Sequence, residues 1–327
     1  MLVWKGKLGD LRTDRKGFVL SLGAFDGFHL GHQLIVRRVV RMARSMGLRS
    51  AVLTFEPHPD VFLGKRNGAF VLSTLRERLD LLADHGLDAC FVLEFDEELS
   101  STPATAFLEE VLRRLGVVAL VLGGDAALGK GGVGGIGVVR SYLRSRGVLG
   151  LTVPEVTYRG VKLSSTLVRR FVGKGRLERV VELLGRPYFL DGEVVVGHRI
   201  GSSLGFPTAN LSFPEEKLLP PVGVYAGAAK LGDALFPAAV NVGFSPTFDK
   251  GLKGPEVEAH LLGVEGDLYG RRIRLFFLRR LRDERRFSSP SELARQMEED
   301  VRLARASFDR EEGLLIRASG VSPRRTG

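Results

Sequence analysis

Two histidines three residues apart, His29 and His32, sit in the stretch Gly23-Ala-Phe25-Asp26-Gly-Phe-His29-Leu-Gly31-His32, where an apolar strand pattern gives way to a helical one. At a helix start such residues share one face, and Gly31 between them lets a ligand approach the main chain. Phosphate chemistry fits this arrangement. The N–H groups of a helix start and the positive end of its dipole favour an anion, and imidazoles can stabilise charge on a transferring phosphoryl group. Two other readings stay open: Asp26, His29 and His32 could supply three ligands to zinc, although no cysteine joins them, or the histidines could be structural. A second cluster, Leu163-Ser164-Ser165-Thr166-Leu-Val-Arg169, sets hydroxyls at a helix N-terminus with an arginine one turn later. That combination can hold a departing pyrophosphate or simply cap a helix.

Two glycine-rich matches carry less. Gly124 to Lys130 has Walker A spacing, but Gly131 stands where a hydroxyl must reach magnesium. Gly132-Val-Gly134-Gly-Ile-Gly137 fits a dinucleotide fingerprint, yet lies too far from the first strand-to-helix turn and reads as a loop.

The elements that must position these residues alternate. Val19–Leu22 and Ser50–Phe55 are short apolar runs, and between them Ile35, Val39, Met42 and Met46 recur at helical spacing until Gly47. Leu75, Leu79 and Leu82 predict a second helix before Gly86, followed by a strand over Asp88–Phe95. Thr102 reads as an N-cap with Pro103 at the first helical position, Gly116 closes that helix, and Val117–Leu122 is a buried-strand run. Alternation continues through Val153 and predicts a parallel sheet with helices on both faces, whose ligands sit at the carboxyl ends of the strands. Near Gly185-Arg186-Pro187 the character changes. Runs at Phe189–Val196, Gly223–Lys230, Ala238–Val242, Val257–Leu262 and Arg272–Leu278 follow one another between Gly and Pro turns, which predicts a small antiparallel barrel. A capping box at Ser289-Pro290-Ser291-Glu292 opens a final helix carried by Leu293, Met297, Val301, Ala304 and Phe308.

Length and composition agree with two globular domains: 327 residues, 44% hydrophobic and a net charge of +10. The positive charge suits a phosphate-rich partner, but it is scattered, with Arg37-Arg38, Arg113-Arg114 and Arg279-Arg280 on expected outer faces. No apolar run reaches membrane-spanning length, and Lys5, Lys7, Asp10 and Arg12 occupy the place of a signal peptide's apolar stretch, so a cytoplasmic location is expected. The single cysteine, Cys90, lies in an apolar run and reads as buried filler.

Taken with Thr54-Phe-Glu-Pro-His-Pro59, the pairing of Gly23–His32 and Leu163–Arg169 resembles the nucleotidyltransferase module of prokaryotic bifunctional riboflavin kinase/FAD synthetases. The second half agrees independently. Gly205-Phe-Pro207-Thr208-Ala-Asn210, Gly223-Val-Tyr-Ala-Gly227, Asn241–Phe248, Val257-Glu258-Ala-His260 and Gly266–Gly270 match that family's kinase module in order.

The resemblance implies an α/β fold with a Rossmann-like nucleotidyltransferase domain over 1–186 and a kinase barrel with a terminal helix over 187–308. A basic tail over 309–327, most clearly Ser322–Gly327, is expected to lack fixed structure. Riboflavin, FMN and ATP become the expected partners and Mg2+ the expected cation, with no nucleic-acid or membrane partner; oligomeric state is not readable. In the kinase module Thr208 and Asn210 would hold the cation, Glu258 would take the hydroxyl proton, and Gly197, Gly201, Gly205 and Pro207 would belong to a nucleotide-binding stretch in which 197–203 forms a flap. Arg282 and Phe287 would face the flavin. In the transferase module His29, His32 and Arg169 would act on the phosphates, with Gly23, Phe25, Asp26, Gly31, Ser164, Ser165 and Thr166 lining the ATP site and His58 and Asp125 near FMN. Where the family carries an aromatic-arginine-aromatic run after Gly124-Asp125, this chain has Ala126, Ala127 and Leu128. A stacking ring and a phosphate-pairing arginine are missing, so impaired or absent FMN adenylylation is expected. Three alternatives remain: a riboflavin kinase with an inactive transferase domain, a basic nucleic-acid-binding protein on a similar fold, and an adenylyltransferase for pantetheine phosphate or nicotinamide nucleotide. The kinase-like second half argues against the last.

Overall fold

The apolar runs of the first half pair side by side, because a strand buried on both faces is stable only when helices cover both. The computed structural model describes residues 1–14, 17–65, 68–124, 127–128, 134–196, 206–244 and 254–321. It divides into two units, Met1–Leu167 and Val168–Gly327. In the first, the order is β1 (Leu2–Gly6), β2 (Phe18–Leu22), α1 (Leu30–Ser45), β3 (Arg49–Glu56), α2 (Pro59–Phe62), α3 (Leu75–Ala83), β4 (Ala89–Glu94), α4 (Glu97–Ser101), α5 (Ala104–Leu115) and β5 (Val117–Gly123). There follow a two-stranded ribbon of β6 (Ala127–Leu128) and β7 (Gly134–Gly135), then α6 (Ile136–Ser145), β8 (Leu149–Val153), a second ribbon of β9 (Thr157–Tyr158) and β10 (Val161–Lys162), and the start of α7 (Ser165–Val172).

The main sheet is parallel, in the order β1-β4-β3-β2-β5-β8. The chain winds outward from β2 through β3 and β4, then restarts on the other side of β2 with β5. Loops leaving β2 and β5 therefore diverge and open a crevice at their carboxyl ends. Phe18 meets Phe91 edge-on at 5.6 Å in the core, and Leu20, Leu53, Leu108 and Leu120 are fully buried. Burying each such side chain contributes about 1.5–3 kcal/mol. Cys90 is buried as expected, and burial pushes its thiol up to about 12.

The second unit holds the rest of α7, α8 (Leu177–Leu184), β11 (Tyr188–Val195), β12 (Ala209–Ser212), β13 (Gly223–Leu231), β14 (Ala234–Gly243), β15 (Glu256–Leu261), β16 (Arg272–Arg282) and α9 (Pro290–Ser319). Its strands close into a barrel, β11-β12-β15-β14-β13-β16, through antiparallel pairs. Closure leaves no open edge. Tyr188, Tyr225, Phe276 and Phe277 are all buried. Gly227 leaves no room for a side chain between β13 and β16: a Cβ there would lie 2.6 Å from the Phe276 carbonyl oxygen, and a register shift separates Ala226 from Gly227.

Several expectations need adjusting. The α1 stripe that is buried is Val36, Val39, Val40 and Ala43, one residue out of phase with the sequence reading, and Met46 is exposed. Thr102 ends α4, its hydroxyl donating back to the Glu98 carbonyl oxygen at 2.8 Å, and Pro103 is the N-cap of α5. β1 and β12 carry no long apolar run and were absent from the sequence reading; their neighbours β4 and β15 supply the pairing. Segment 168–186, expected to close the first domain, packs with the barrel, because α8 buries Leu177, Val180, Leu183 and Leu184 in that unit. Helix α9 continues to Ser319 where a tail from 309 was expected. Leu315 is fully buried, and Lys230 Nζ donates to the Ser319 carbonyl oxygen at 2.6 Å, satisfying a terminal carbonyl. Residues 322–327 lie outside the described residues. Among the described residues no helix is long and apolar enough to cross a membrane.

Gly227→Ala should destabilise the barrel by roughly 1–3 kcal/mol through overpacking against the Phe276 carbonyl and Val240. Thermal unfolding of the variant measures this, and an unchanged melting curve would show that the strands can part there without cost.

Candidate active sites

The first cleft, about 260 Å³, lies at the carboxyl ends of β2, β5 and β8 and is lined by Leu22, Gly23, Phe25, His29, Gly31, His32, Gly123, Gly124, Val153, Lys162, Ser164 and Ser165 among others. Its floor begins with α1. His29 is the N-cap, its Nδ1 accepting from the His32 N–H at 3.3 Å. That bond requires a lone pair on Nδ1, so the neutral ring carries its proton on Nε2. The two imidazoles stack at 3.7 Å and 17°, and Phe25 lies against His32 at 5.2 Å. A Cβ at Gly31 would come within 3.1 Å of the His29 ring. The absence of a side chain there leaves His29 its place.

The turn that delivers the histidines is strained. Phe25 and Phe28 have φ of 50° and 42°, a region bulky residues avoid at a cost of about 1–3 kcal/mol each. Burial of both rings offsets it. Gly27, at φ 74°, faces Leu72 so closely that a Cβ would sit 2.6 Å from its Cδ1.

Asp26, expected among the ATP contacts, points its carboxylate inward instead. Oδ1 accepts from the Ser73 amide at 2.8 Å and from its hydroxyl at 3.1 Å, and Oδ2 accepts from the Leu72 amide at 3.1 Å. Only its main-chain carbonyl turns toward the second motif, accepting from Ser165 Oγ at 2.8 Å. A carboxylate beside a polyphosphate would repel it, and here the main chain has taken that charge. The zinc reading loses its third ligand, and no group of three or more His, Cys, Asp or Glu suited to a metal occurs among the described residues.

Gly23-His32 and Ser164-Ser165 thus converge on one cleft. Ser164 Oγ caps α7 by accepting from the Leu167 amide at 3.2 Å, while Thr166 is exposed and outside the described lining. Arg169 follows one turn later on α7, in the second unit. His58 is also outside that lining: buried, it is the N-cap of α2, with Nδ1 accepting from the Asp60 amide at 3.1 Å. Asp125 lies outside the described residues. Sequence reasoning missed Lys162 and Glu155, which line the cleft as an ion pair of 2.8 Å. It also missed Arg78, 2% exposed, which donates to the Ala24 carbonyl at 2.8 Å, the Phe55 carbonyl at 3.1 Å and the Glu56 carboxylate at 2.6 Å, joining the loops after β2 and β3.

The second cleft, about 270 Å³, lies within the second unit and includes Thr208, Asn241, Glu258, His260, Arg282, Phe287, Met297 and Asp300 in its lining. Strand alternation places these groups. On β15, Val257 and Ala259 are buried in the barrel while Glu256, Glu258 and His260 take the other face. Register then sets Asn210 of β12 and Asn241 of β14 directly opposite Glu258, one on each side. Such partners share a face about 4.5–5.5 Å apart at Cβ. Register thus brings Asn210 to Glu258, and Thr208 lines the same cleft as Glu258. Gly197, Gly201 and Gly205 lie outside the described residues, and Pro207 is not part of the cleft lining, although its carbonyl is hydrogen-bonded at 2.8 Å to Nδ1 of His260, which is.

The opposite wall comes from α9 and the segment before it. Arg282 is held by Asp300 through Nε to Oδ1 at 3.1 Å and Nη2 to Oδ2 at 2.7 Å, and Gln296 donates to Asp300 Oδ1 at 3.0 Å. Phe287 lies under the guanidinium groups of Arg285 at 4.8 Å and Arg282 at 5.7 Å. Leu293, Met297 and Val301 are half-buried and line this cleft, while Ala304 and Phe308 further along the same helix are buried. Asn241, Asp300 and His260 were not assigned from sequence, although Asn241 and His260 stood in the quoted motifs.

A parallel sheet with an anion-receptive helix start and a separate closed barrel with hydroxyl, amide and carboxylate oxygens define a nucleotide-using transferase built from two catalytic modules. The FAD synthetase family model matches residues 11–167 and the riboflavin kinase model residues 184–308. Proteins called bifunctional riboflavin kinase/FMN adenylyltransferase match over most of their length: that of Bacillus subtilis is 33% identical over 89% of this chain and 92% of its own. That of Escherichia coli K12 is 34% identical over 91% and 95%. A crystal structure of a Streptococcus pneumoniae protein described as a macrolide-efflux protein has the same fold, with a TM-score of 0.82 and 27% identity over 93% of this chain and 99% of that one. The chain belongs to the bifunctional riboflavin kinase/FMN adenylyltransferase family.

Asp26→Ala should lower the melting temperature, because withdrawing the acceptor from two buried amides costs about 1–3 kcal/mol for each. Unchanged thermal stability would mean that Asp26 acts on ligand rather than on the 71–74 loop.

Proposed function

We propose that this enzyme phosphorylates riboflavin to FMN in the barrel cleft and joins FMN to the AMP portion of a second ATP in the sheet cleft. The observation that carries the kinase half is the row Asn210, Glu258 and Asn241 across three neighbouring strands, with Thr208 beside it. In the first step the ribityl 5′-hydroxyl attacks the γ-phosphorus of ATP, Glu258 takes the hydroxyl proton, the new O–P bond forms and ADP departs. Such transfer is mostly positioning and charge neutralisation. Thr208 and Asn210 offer the hard oxygen donors that magnesium prefers, and magnesium bound there would neutralise charge on the phosphates. Arg282 and Phe287 offer the cation and ring that would border the flavin.

In the second step an oxygen of the FMN phosphate attacks the α-phosphorus of ATP, and the bond to pyrophosphate breaks. That phosphate oxygen is already a nucleophile, so no activated serine or cysteine is needed. His29, donating from Nε2, and His32 would steady the charge on the phosphates. Gly23, Phe25 and Gly31 would shape the ATP seat, and Ser164, Ser165 and Thr166, with Arg169, would receive the pyrophosphate. The buried, single cysteine accords with a cytoplasmic enzyme.

Riboflavin incubated with ATP and magnesium should yield FMN and then FAD, followed by chromatography. Glu258→Gln should slow FMN formation at least about 100-fold while leaving FMN-to-FAD conversion intact, and His29→Ala should do the converse. Failure of Glu258→Gln to convert supplied FMN to FAD, or failure of His29→Ala to form FMN from riboflavin, would refute the division of labour. Because Ala126, Ala127 and Leu128 replace the family's aromatic and arginine, FAD should accumulate more slowly than FMN; equal rates would show that the replaced residues are dispensable.

A further inference from the structure

We propose that His260 is a positioning residue of the kinase cleft, holding the chain at Pro207 so that the neighbouring Thr208 presents its hydroxyl to the cation. The inference rests on the reading of Thr208 and Asn210 as cation ligands. Pro207 is the residue immediately before Thr208, and it precedes β12. Its carbonyl stands 2.8 Å from Nδ1 of His260 and can only accept, so Nδ1 carries the proton and donates. The same imidazole meets the Phe206 ring edge-on at 5.5 Å and 77°, gripping the segment a second time. Continuing the β12–β15 register by one residue sets Thr208 opposite His260, as Asn210 is set opposite Glu258. One strand, β15, therefore carries both the proposed base and, two residues on and on the same face, the group that fixes the approach to β12.

This anchoring matters because of where it falls. The ladder between β12 and β15 covers Ala209, Asn210 and Leu211, so Thr208 lies just beyond it. Asn210 is held by the ladder itself. The Thr208 side chain depends on the direction in which the chain enters the strand, and a hydroxyl displaced by about 1 Å is a poor ligand for a cation that demands near-ideal octahedral geometry.

The two amide residues separate the nitrogen positions: Asn places its NH2 near the Nδ1 site, and Gln places its NH2 near the Nε2 site. His260→Asn should keep the bond to Pro207, and His260→Gln should lose it. The full-length protein is titrated with magnesium while FMN formation is followed, and MgADP binding is measured calorimetrically as two classes of site. His260→Gln is expected to raise the magnesium concentration for half-maximal FMN formation about tenfold and to weaken one class of MgADP site by a similar factor, with the KM for riboflavin changed less than twofold. His260→Asn should restore both values to within about threefold of the parent. Equal behaviour of the two variants, whether both unimpaired or both impaired, would overturn the proposal, as would a lower kcat with no change in magnesium dependence. Thr208→Ala is the control for the reading beneath it: if that variant leaves magnesium dependence and MgADP affinity unchanged, the cation assignment fails first and independently of His260.

Discussion

Burying charge among main-chain amides and carbonyls is the constraint on which the first cleft depends. Two ionised side chains are sunk beneath the loops at the carboxyl ends of the sheet: Asp26, whose oxygens take the Leu72 and Ser73 amides, and Arg78, whose guanidinium takes the Ala24 and Phe55 carbonyls. An isolated buried charge would be expensive, but each here answers main-chain groups that need a partner away from water. The outcome is a fixed loop from β2 into α1. The left-handed Phe25 and Phe28 persist because these anchors and the burial of both rings leave the turn no alternative.

The second unit solves the same problem by alternation. A closed barrel directs every second side chain inward, so an apolar interior automatically leaves the intervening positions of β12, β14 and β15 facing one cleft. Asn210, Glu258 and Asn241 need no buried counter-charge to be aligned, since cross-strand register does it. The far wall does use one: Asp300, buried on α9, is paired with Arg282 and bound by Gln296, which couples the helix to the end of β16.

Where the sequence was legible, a repeating physical signal existed. Strand runs such as Val117–Leu122 announce themselves by continuous apolarity, the α9 start by its capping box, and the phosphate-binding motifs by glycines and hydroxyls at element boundaries. What escaped was whatever depends on a partner distant in the chain. Helix α3 buries Glu77 and Arg78 alongside Leu81 and Leu82, and no periodicity of apolar residues can place a charged pair on the inner face. The phase of α1 slipped by one residue because Ile35 is apolar for a different reason, lining the cleft rather than the core. Asp26 looked like a ligand from its neighbours in sequence, whereas its partners are some 46 residues away. Helix α9 outran its expected end, and of its late apolar residues Leu314, Leu315 and Ile316 only Leu315 is fully buried.

The lone sulfhydryl offers a practical opening. With Cys90 fully enclosed in β4 and its thiolate form strongly disfavoured, the native protein presents almost no background to maleimide or disulfide reagents. Any cysteine introduced at a solvent-facing position would react alone, so fluorescent or spin labels can be attached at chosen sites without first removing the natural residue.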